Sequence, residues 1–264
     1  MNTLYIIGTG PGNIEYLTKQ AYDILKSIDS VVGYTTYIEL IQPLIEGKNI
    51  FSTSMQKEVE RVNKAIEIAM SGQQCAIISG GDSGIYGMAS LVFEVCREKN
   101  ICVITPFLVS SIIDPKNTIL IEVIPGVPAL CAASSLLGAP IGNDFAVISL
   151  SDLLNPWEVI EKRIEAAAQA DFTIVIYNPK SKKRDWQIEK AKEIILKYRD
   201  KNTPVGIVNR AMRENQSTHI IPLDNLSNTN IDMQTIVIIG NSNSYTYLDF
   251  MITPRGYLNK YDLS

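Results

Sequence analysis

The chain almost lacks histidine. His219 is the only one in 264 residues, which leaves little material for a zinc site or a histidine-based nucleophile. It sits in THIIP, a stretch with strand character, where packing or surface exposure fits better than chemistry. Four cysteines, Cys75, Cys96, Cys102 and Cys131, form no C-x-x-C pair. Three lie in apolar runs, so they read as buried free thiols and give no support for a metal or iron–sulfur centre. No apolar run approaches the roughly 20 residues that span a bilayer. The N-terminus lacks the basic and apolar blocks of a secretory signal. The expectation is a cytoplasmic protein without a membrane partner. Positive charge is also short: 24 Lys and Arg face 28 Asp and Glu, a net charge of −4. That argues against a general nucleic-acid binder.

What is present is a core-forming composition, 46% hydrophobic with 20% charged, which excludes a disordered chain. Strand-like and helix-like patterns alternate. LYIIG, SVVGY, QCAIISG and ILIEVIPG read as strands, and residues 59–69 carry helical spacing that ends at Gly72. After ALCAASSLLG, a small-residue helix, FAVISL, FTIVIY, PVGIVN, STHIIP and QTIVIIGN read as strands. Helices are expected from Pro156 to about Ala168 and over 185–199. STHIIP and QTIVIIGN, with only a short connection, are candidates for an antiparallel pair. This alternation implies α/β layers, divided into domains 1–126 and 127–264. The closing stretch TPRGYLNKYDLS has little periodicity and is expected along the surface or in a cleft.

Two glycine loops invite a ligand. The first, GTGPGN, fails the dinucleotide fingerprint: Asn13 stands where the last glycine belongs, and SVVGY ends without an acidic residue. It fails the phosphate-loop pattern too, since no Gly-Lys-Ser/Thr follows. A tight turn that lets backbone approach a ligand survives, as does a plain strand-to-helix turn. The second loop, Ser79 to Gly87, sets four glycines around Asp82 between a strand and a helix. One fixed negative charge among exposed backbone groups suits an amine or sulfonium better than several phosphates. The alternative is that Asp82 caps the next helix.

Taken together, GTGPGN, VVGYTTY, ISGGDSGIYGMA, VIPGVPA, AVISLSDLLNPWEVIEKR, YNPKSKKRDWQ, PVGIVNRAMRE, DMQTIVIIGNS and ITPRGY resemble the tetrapyrrole methylases over residues 3 to about 257. More narrowly, they resemble the branch that methylates C17 of precorrin-3B in cobalamin (vitamin B12) biosynthesis. The resemblance implies two α/β domains with S-adenosylmethionine (SAM) in the cleft between them, S-adenosylhomocysteine as product, and a homodimer. It implies cofactor contacts at Pro11, Gly80, Gly81, Asp82, Ile85, Pro128, Ala129, Asn178, Ala211 and Thr235. Gly10 falls where the family's glycine turn lines the tetrapyrrole site. Three positions depart from the family pattern: Ser83 replaces a proline, Pro128 a threonine, and Asn143 the histidine of a GHDF motif. Pro128 offers no hydroxyl or N–H, and Asn143 cannot titrate. The stretch from Asn100 to Thr118 is longer than usual.

The implied reaction is methyl transfer coupled to ring contraction, on a substrate that carries cobalt on the anaerobic route. Proton transfer at the extruded carbon needs an acid or base; Asp82, Tyr86 and Asp144 are the candidates by loop position. The substrate is a polyanion. Lys180, Lys182, Lys183 and Arg184 cluster just before a helix N-terminus, where cations are electrostatically disfavoured unless an anion joins them; a solvated charge run is the alternative. Arg210, Arg213 and Arg255 are further substrate candidates. Competing readings are a C11 or uroporphyrinogen methylase, an RNA 2′-O-methyltransferase of related fold, and a non-catalytic carrier of SAM or tetrapyrrole.

Overall fold

The computed structural model describes residues 2–107, 114, 116–181 and 184–262. They form two compact units, Met1–Ala129 and Leu130–Ser264, both α/β.

The first unit runs β1 (Thr3–Gly8), α1 (Lys19–Ser27), β2 (Ser30–Tyr34), α2 (Thr35–Leu40), β3 (Asn49–Thr53), α3 (Glu58–Met70), β4 (Cys75–Ser79), α4 (Ala89–Glu98), β5 (Cys102–Ile104) and β6 (Thr118–Ile124). All six strands are parallel, in the order β3-β2-β4-β1-β6-β5. Their unbroken apolar runs have a simple cause, since both faces are covered. Leu4, Ile6, Val32 and Ile77 pack under Val62, Ile66 and Ala69 of α3 and Val92 of α4. Ile7, Val31 and Ile78 pack on the other side against Leu25 of α1 and Ile38 of α2. The helix limits follow local chemistry. Thr18 Oγ1 accepts from Ala21 N at 3.2 Å to open α1, and Gly72, at φ +89°, follows the end of α3. β3, β5 and α2 have no counterpart in the sequence reading. β3 is a largely exposed edge strand, β5 has three residues and α2 six, too short to show a period.

The second unit contains α5 (Ala129–Leu137), β7 (Gly138–Ala139), β8 (Phe145–Ser149), α6 (Trp157–Gln169), β9 (Thr173–Tyr177), α7 (Gln187–Ile195), β10 (Pro204–Asn209), β11 (Ser217–Pro222), β12 (Thr235–Ile239), β13 (Tyr245–Tyr247) and β14 (Phe250–Ile252). Its main sheet has the order β11-β10-β12-β9-β8, with only β8 and β9 parallel. The expected pairing of STHIIP with QTIVIIGN is not made. Each instead pairs with PVGIVN, on opposite sides. Burial explains the choice. β10 is apolar and buried along its length and takes an interior place, whereas β11 is mostly exposed and takes the edge. A Leu223–Asn228 3-10 segment, tied by Leu223 N to Thr203 O at 2.9 Å, carries the chain onward from β11 towards β12. One face of the sheet packs on α6 and α7 through Ile148, Ile176, Ile207 and Val237 against Ile160, Ile164, Ile188 and Ile195. On the other face Gly206 makes room for Leu137; a Cβ there would lie 2.4 Å from Leu137 Cδ1. β13, β14 and β7 form a separate small sheet. Pro156 stands at the N-cap of α6, not inside its first turn.

Among the described residues no helix is long and apolar enough to cross a membrane. The thiols divide evenly: Cys75 and Cys96 are buried, Cys102 and Cys131 exposed. Cys131 departs from the buried expectation because its helix turns it outward. Burial pushes the Cys75 thiol up to about 12. Iodoacetamide at pH 8 is therefore expected to alkylate Cys102 and Cys131 in the native protein and to reach Cys75 only after denaturation. Mass mapping that finds Cys75 modified under native conditions would contradict this packing.

Candidate functional site

β4, β1 and β6 are parallel neighbours, so the chain leaves all three at one edge of the first sheet, where open α/β sheets place their ligands. The three exits are joined mainly by backbone. Thr9 donates to Ser79 O through N (2.8 Å) and Oγ1 (3.0 Å). Gly10 N donates to Gly81 O at 3.0 Å and Gly81 N to Gly10 O at 2.7 Å, an antiparallel bridge at the end of a parallel ladder. The turn after β6 presses against it. A Cβ on Gly126 would lie 2.2 Å from Gly81 O and 2.6 Å from Gly8 C. Gly10 and Gly81 also hold φ of +75° and +67°. The Gly10 amide is thus consumed within the protein.

Asp82 follows this junction and ties it to β6. Its Oδ2 accepts from Gly126 N at 3.0 Å and its Oδ1 from Gly84 N at 2.8 Å. It does not cap α4, which begins seven residues later with Met88 at its N-cap, so the helix-cap alternative fails. A half-buried carboxylate with two N–H donors retains lone pairs for a third group. Ile85 N closes a turn on Asp82 O at 3.3 Å. Gly80 lies under the Tyr37 ring, whose Cε1 would be 2.5 Å from a Cβ. Pro128 and Ala129 pack beside Gly81, at 3.8 Å (Cα) and 3.5 Å (N) from a Cβ built there. Pro11 is buried next to Gly10. Tyr86 is 55% exposed with φ +52°. Ser83 is fully buried, and its Oγ has no hydrogen-bond partner among the described residues. Gly10, Pro11, Gly80, Gly81, Asp82, Ile85, Tyr86, Pro128 and Ala129 thus surround one strand-end junction.

In the second unit, register does the gathering. Val237 lies opposite Ile176, and Thr235 opposite Asn209. Asn178 after β9, Thr235 opening β12 and Ala211 after β10 therefore share one edge. Left-handed backbone concentrates there: Asn178 (φ +50°), Arg210 (+52°), Met212 (+59°) and Asn215 (+59°), a form of strain that clusters at functional loops. Asn178 Nδ2 donates to Ser149 Oγ at 2.9 Å. Thr235 Oγ1 is held within its own turn, donating to Asp232 Oδ1 and accepting from Asp232 N, both at 3.0 Å. Arg210 Nε donates to Gln234 Oε1 at 2.7 Å. Arg184 is 7% exposed, and its Nη2 donates to Asn178 O at 2.9 Å, so the solvated-run alternative does not describe it. Lys182 and Lys183 lie outside the described residues.

Two candidates are not brought to this edge. Asp144 precedes β8, and its carbonyl accepts from Thr173 N at 3.2 Å. That is the opposite end of the sheet, about 15 Å along the strand from Asn178. Arg255 is exposed just beyond Thr253, whose Oγ1 lies 3.5 Å from Thr173 Oγ1 at the same far end. Sequence reasoning missed Ser149 and Tyr37. Both lie within quoted motifs, but only three-dimensional contact reveals their work on Asn178 and Gly80.

The family model for tetrapyrrole (corrin/porphyrin) methylases matches residues 3–227. A "Cobalt-factor III methyltransferase" from Priestia megaterium is 47% identical over 261 residues, covering 99% of this chain and 46% of that protein. The chain thus spans about half the length of that relative. A "Probable cobalt-factor III C(17)-methyltransferase" from Salmonella typhimurium is 41% identical over 254 residues, covering 96% of this chain and 99% of that one. Among solved structures, that of "the methyltransferase CobJ" aligns with a TM-score of 0.83 at 30% identity, over 95% of this chain and 99% of the other.

The junction has measurable consequences. Gly126→Ala is expected to destabilise by about 3 kcal/mol or more, because backbone has no alternative rotamer. Gly47→Ala, with φ +79° and nothing within 4 Å, should cost about 1–2 kcal/mol from backbone strain alone. Urea melts compare the two, and equal losses would mean the junction tolerates a side chain. Asp82→Asn should cost about 1–3 kcal/mol, since one of Gly84 N and Gly126 N must then face an NH2 group. An unchanged urea midpoint would show that the carboxylate is not a clamp.

Proposed function

The chain belongs to the tetrapyrrole (corrin/porphyrin) methylases, and from that premise we propose that it is a SAM-dependent C-methyltransferase. Its substrate is a precorrin-3-type ring, cobalt-bearing in the anaerobic form, methylated at C17 with coupled ring contraction in cobalamin biosynthesis. The observation that carries this reading is the end-to-end match with the Salmonella chain, 96% of one and 99% of the other. A cytoplasmic setting and a homodimer belong to the same proposal. The exposed Tyr245, Tyr247, Leu248 and Phe250 of the β13–β14 hairpin suit a face covered by a second copy.

The strand-end loops fit the cofactor chemically. When bound, SAM supplies a methyl group already activated on a sulfonium. The protein then has to bind, align and exclude water, without a nucleophile of its own. Gly80, under the Tyr37 ring, and Gly81, bonded to Gly10, shape the loop that presents Asp82. Asp82, with lone pairs left after its two N–H bonds, is the acceptor for the ammonium or sulfonium of SAM. Asn178, with Nδ2 committed to Ser149, offers Oδ1 as an acceptor. Pro128 contributes its ring and carbonyl only. For proton transfer at the extruded carbon, Asp82 and Tyr86 share the first unit's strand-end edge; Asp144 stands at the far end of its sheet from Asn178. Lys180, Lys182, Lys183 and Arg210 are proposed to meet substrate carboxylates.

The deciding experiment is an anaerobic incubation with methyl-labelled SAM and cobalt-precorrin-3, reading product mass and label position. One methyl at C17 on a contracted ring is expected. Methylation at C11 would place the chain in another branch of the family, and SAM binding without transfer would favour the carrier reading. Lys182→Ala with Lys183→Ala should raise the tetrapyrrole KM about three- to tenfold and leave SAM affinity unchanged. Loss of both affinities, or of neither, would count against the basic cluster.

A further inference from the structure

Among the described residues of the basic cluster, Arg184 is the one whose side chain is withdrawn from solvent. It is 7% exposed, its Nη2 donates to the carbonyl of Asn178 at 2.9 Å, and its Nε has no partner among the described residues. Around it the loop is closed. Ser181 N donates to Arg184 O at 2.7 Å and Arg184 N to Ser181 O at 3.2 Å, so the two residues are bridged backbone to backbone. Behind Arg184, Gln187 is 2% exposed and donates through Nε2 to Asp152 Oδ2 at 2.8 Å. Trp186 packs edge-on against Trp157, with ring centroids 4.9 Å apart. Burial draws the Arg184 pKa down, and the Asp152 carboxylate opposes that shift. A buried guanidinium is costly unless its bonds do something a neutral residue could not. Here its bond fixes the carbonyl of a residue held in left-handed backbone, φ +50°.

We infer that Arg184 is a positioning residue: it holds Asn178 in the left-handed conformation that points the Asn178 amide at Ser149 and at the cofactor, and it is not itself a ligand for substrate carboxylates. This rests on the reading of Asn178 as a cofactor contact. Without the bond, Asn178 can relax to ordinary backbone, and its amide leaves the bound geometry.

The test is a double-mutant cycle on SAM affinity by calorimetry, with kinetics alongside. Arg184→Met should weaken SAM binding about tenfold, the size of one left-handed residue released, while kcat at saturating SAM stays within about twofold, the pattern of lost uniform binding. Arg184→Lys, which keeps one donor, should fall between wild type and Arg184→Met. In an Asn178→Ala background, Arg184→Met should add nothing further. Additive losses, or a raised tetrapyrrole KM with SAM affinity intact, would overturn the inference while leaving Asn178 as a cofactor contact. Asn178→Ala with unchanged SAM affinity would overturn that contact and the inference together. Should Arg184→Met not fold, the same cycle with Arg184→Lys decides.

Discussion

Three strands of one sheet end in loops that touch backbone to backbone, and that contact is possible only where side chains are absent. Gly8 and Gly126 are the points where a side chain would strike backbone, and Gly10 and Gly81 bond to each other in left-handed backbone. Asp82 seals them by accepting N–H bonds from its own loop and from the turn 44 residues away. The first unit's candidate site is what remains around this junction. Its floor is backbone, its single charge is pinned by two donors, and Tyr37 fills the space beside Gly80. A floor of this kind costs no reorganisation when a ligand arrives, which is the property a positioning enzyme needs.

The second unit reaches a comparable end by register rather than by glycine. A mixed sheet brings Asn178, Ala211 and Thr235 to one edge, although they are separated by up to 57 positions in the chain. Non-glycine residues in left-handed backbone stand there, and polar side chains hold the loops: Ser149 on Asn178, Gln234 on Arg210, Asp232 on Thr235. The first unit's junction gains its rigidity from close contact, this edge from hydrogen bonds to side chains.

Much of the scaffold was legible because burial on both faces writes continuous apolar runs, and β1, β2, β4, β6, β9 and β12 all read that way. Edge and very short elements were not, since β3, β5 and β7 carry no period to detect. The order of β10, β11 and β12 was misjudged because chain proximity was weighed above the burial difference between PVGIVN and STHIIP. At the site, residue types were visible and partners were not. Asp82 stood out as a lone charge among glycines, but its bond to Gly126 reaches from the end of β4 past β1 to the end of β6. Arg184 looked like one more surface cation, because a run of lysines hides which of its members turns inward.

The backbone junction also limits what the glycine motifs can testify to. Gly8 and Gly126 are required by the meeting of strand ends, and Gly10 and Gly81 by their left-handed backbone, whatever the loops later hold. A copy of this gene freed from catalytic duty would keep them for as long as its product had to fold. Their presence in a chain therefore testifies to the architecture, and it is at positions that fold without penalty either way that a change of substrate would first leave its mark.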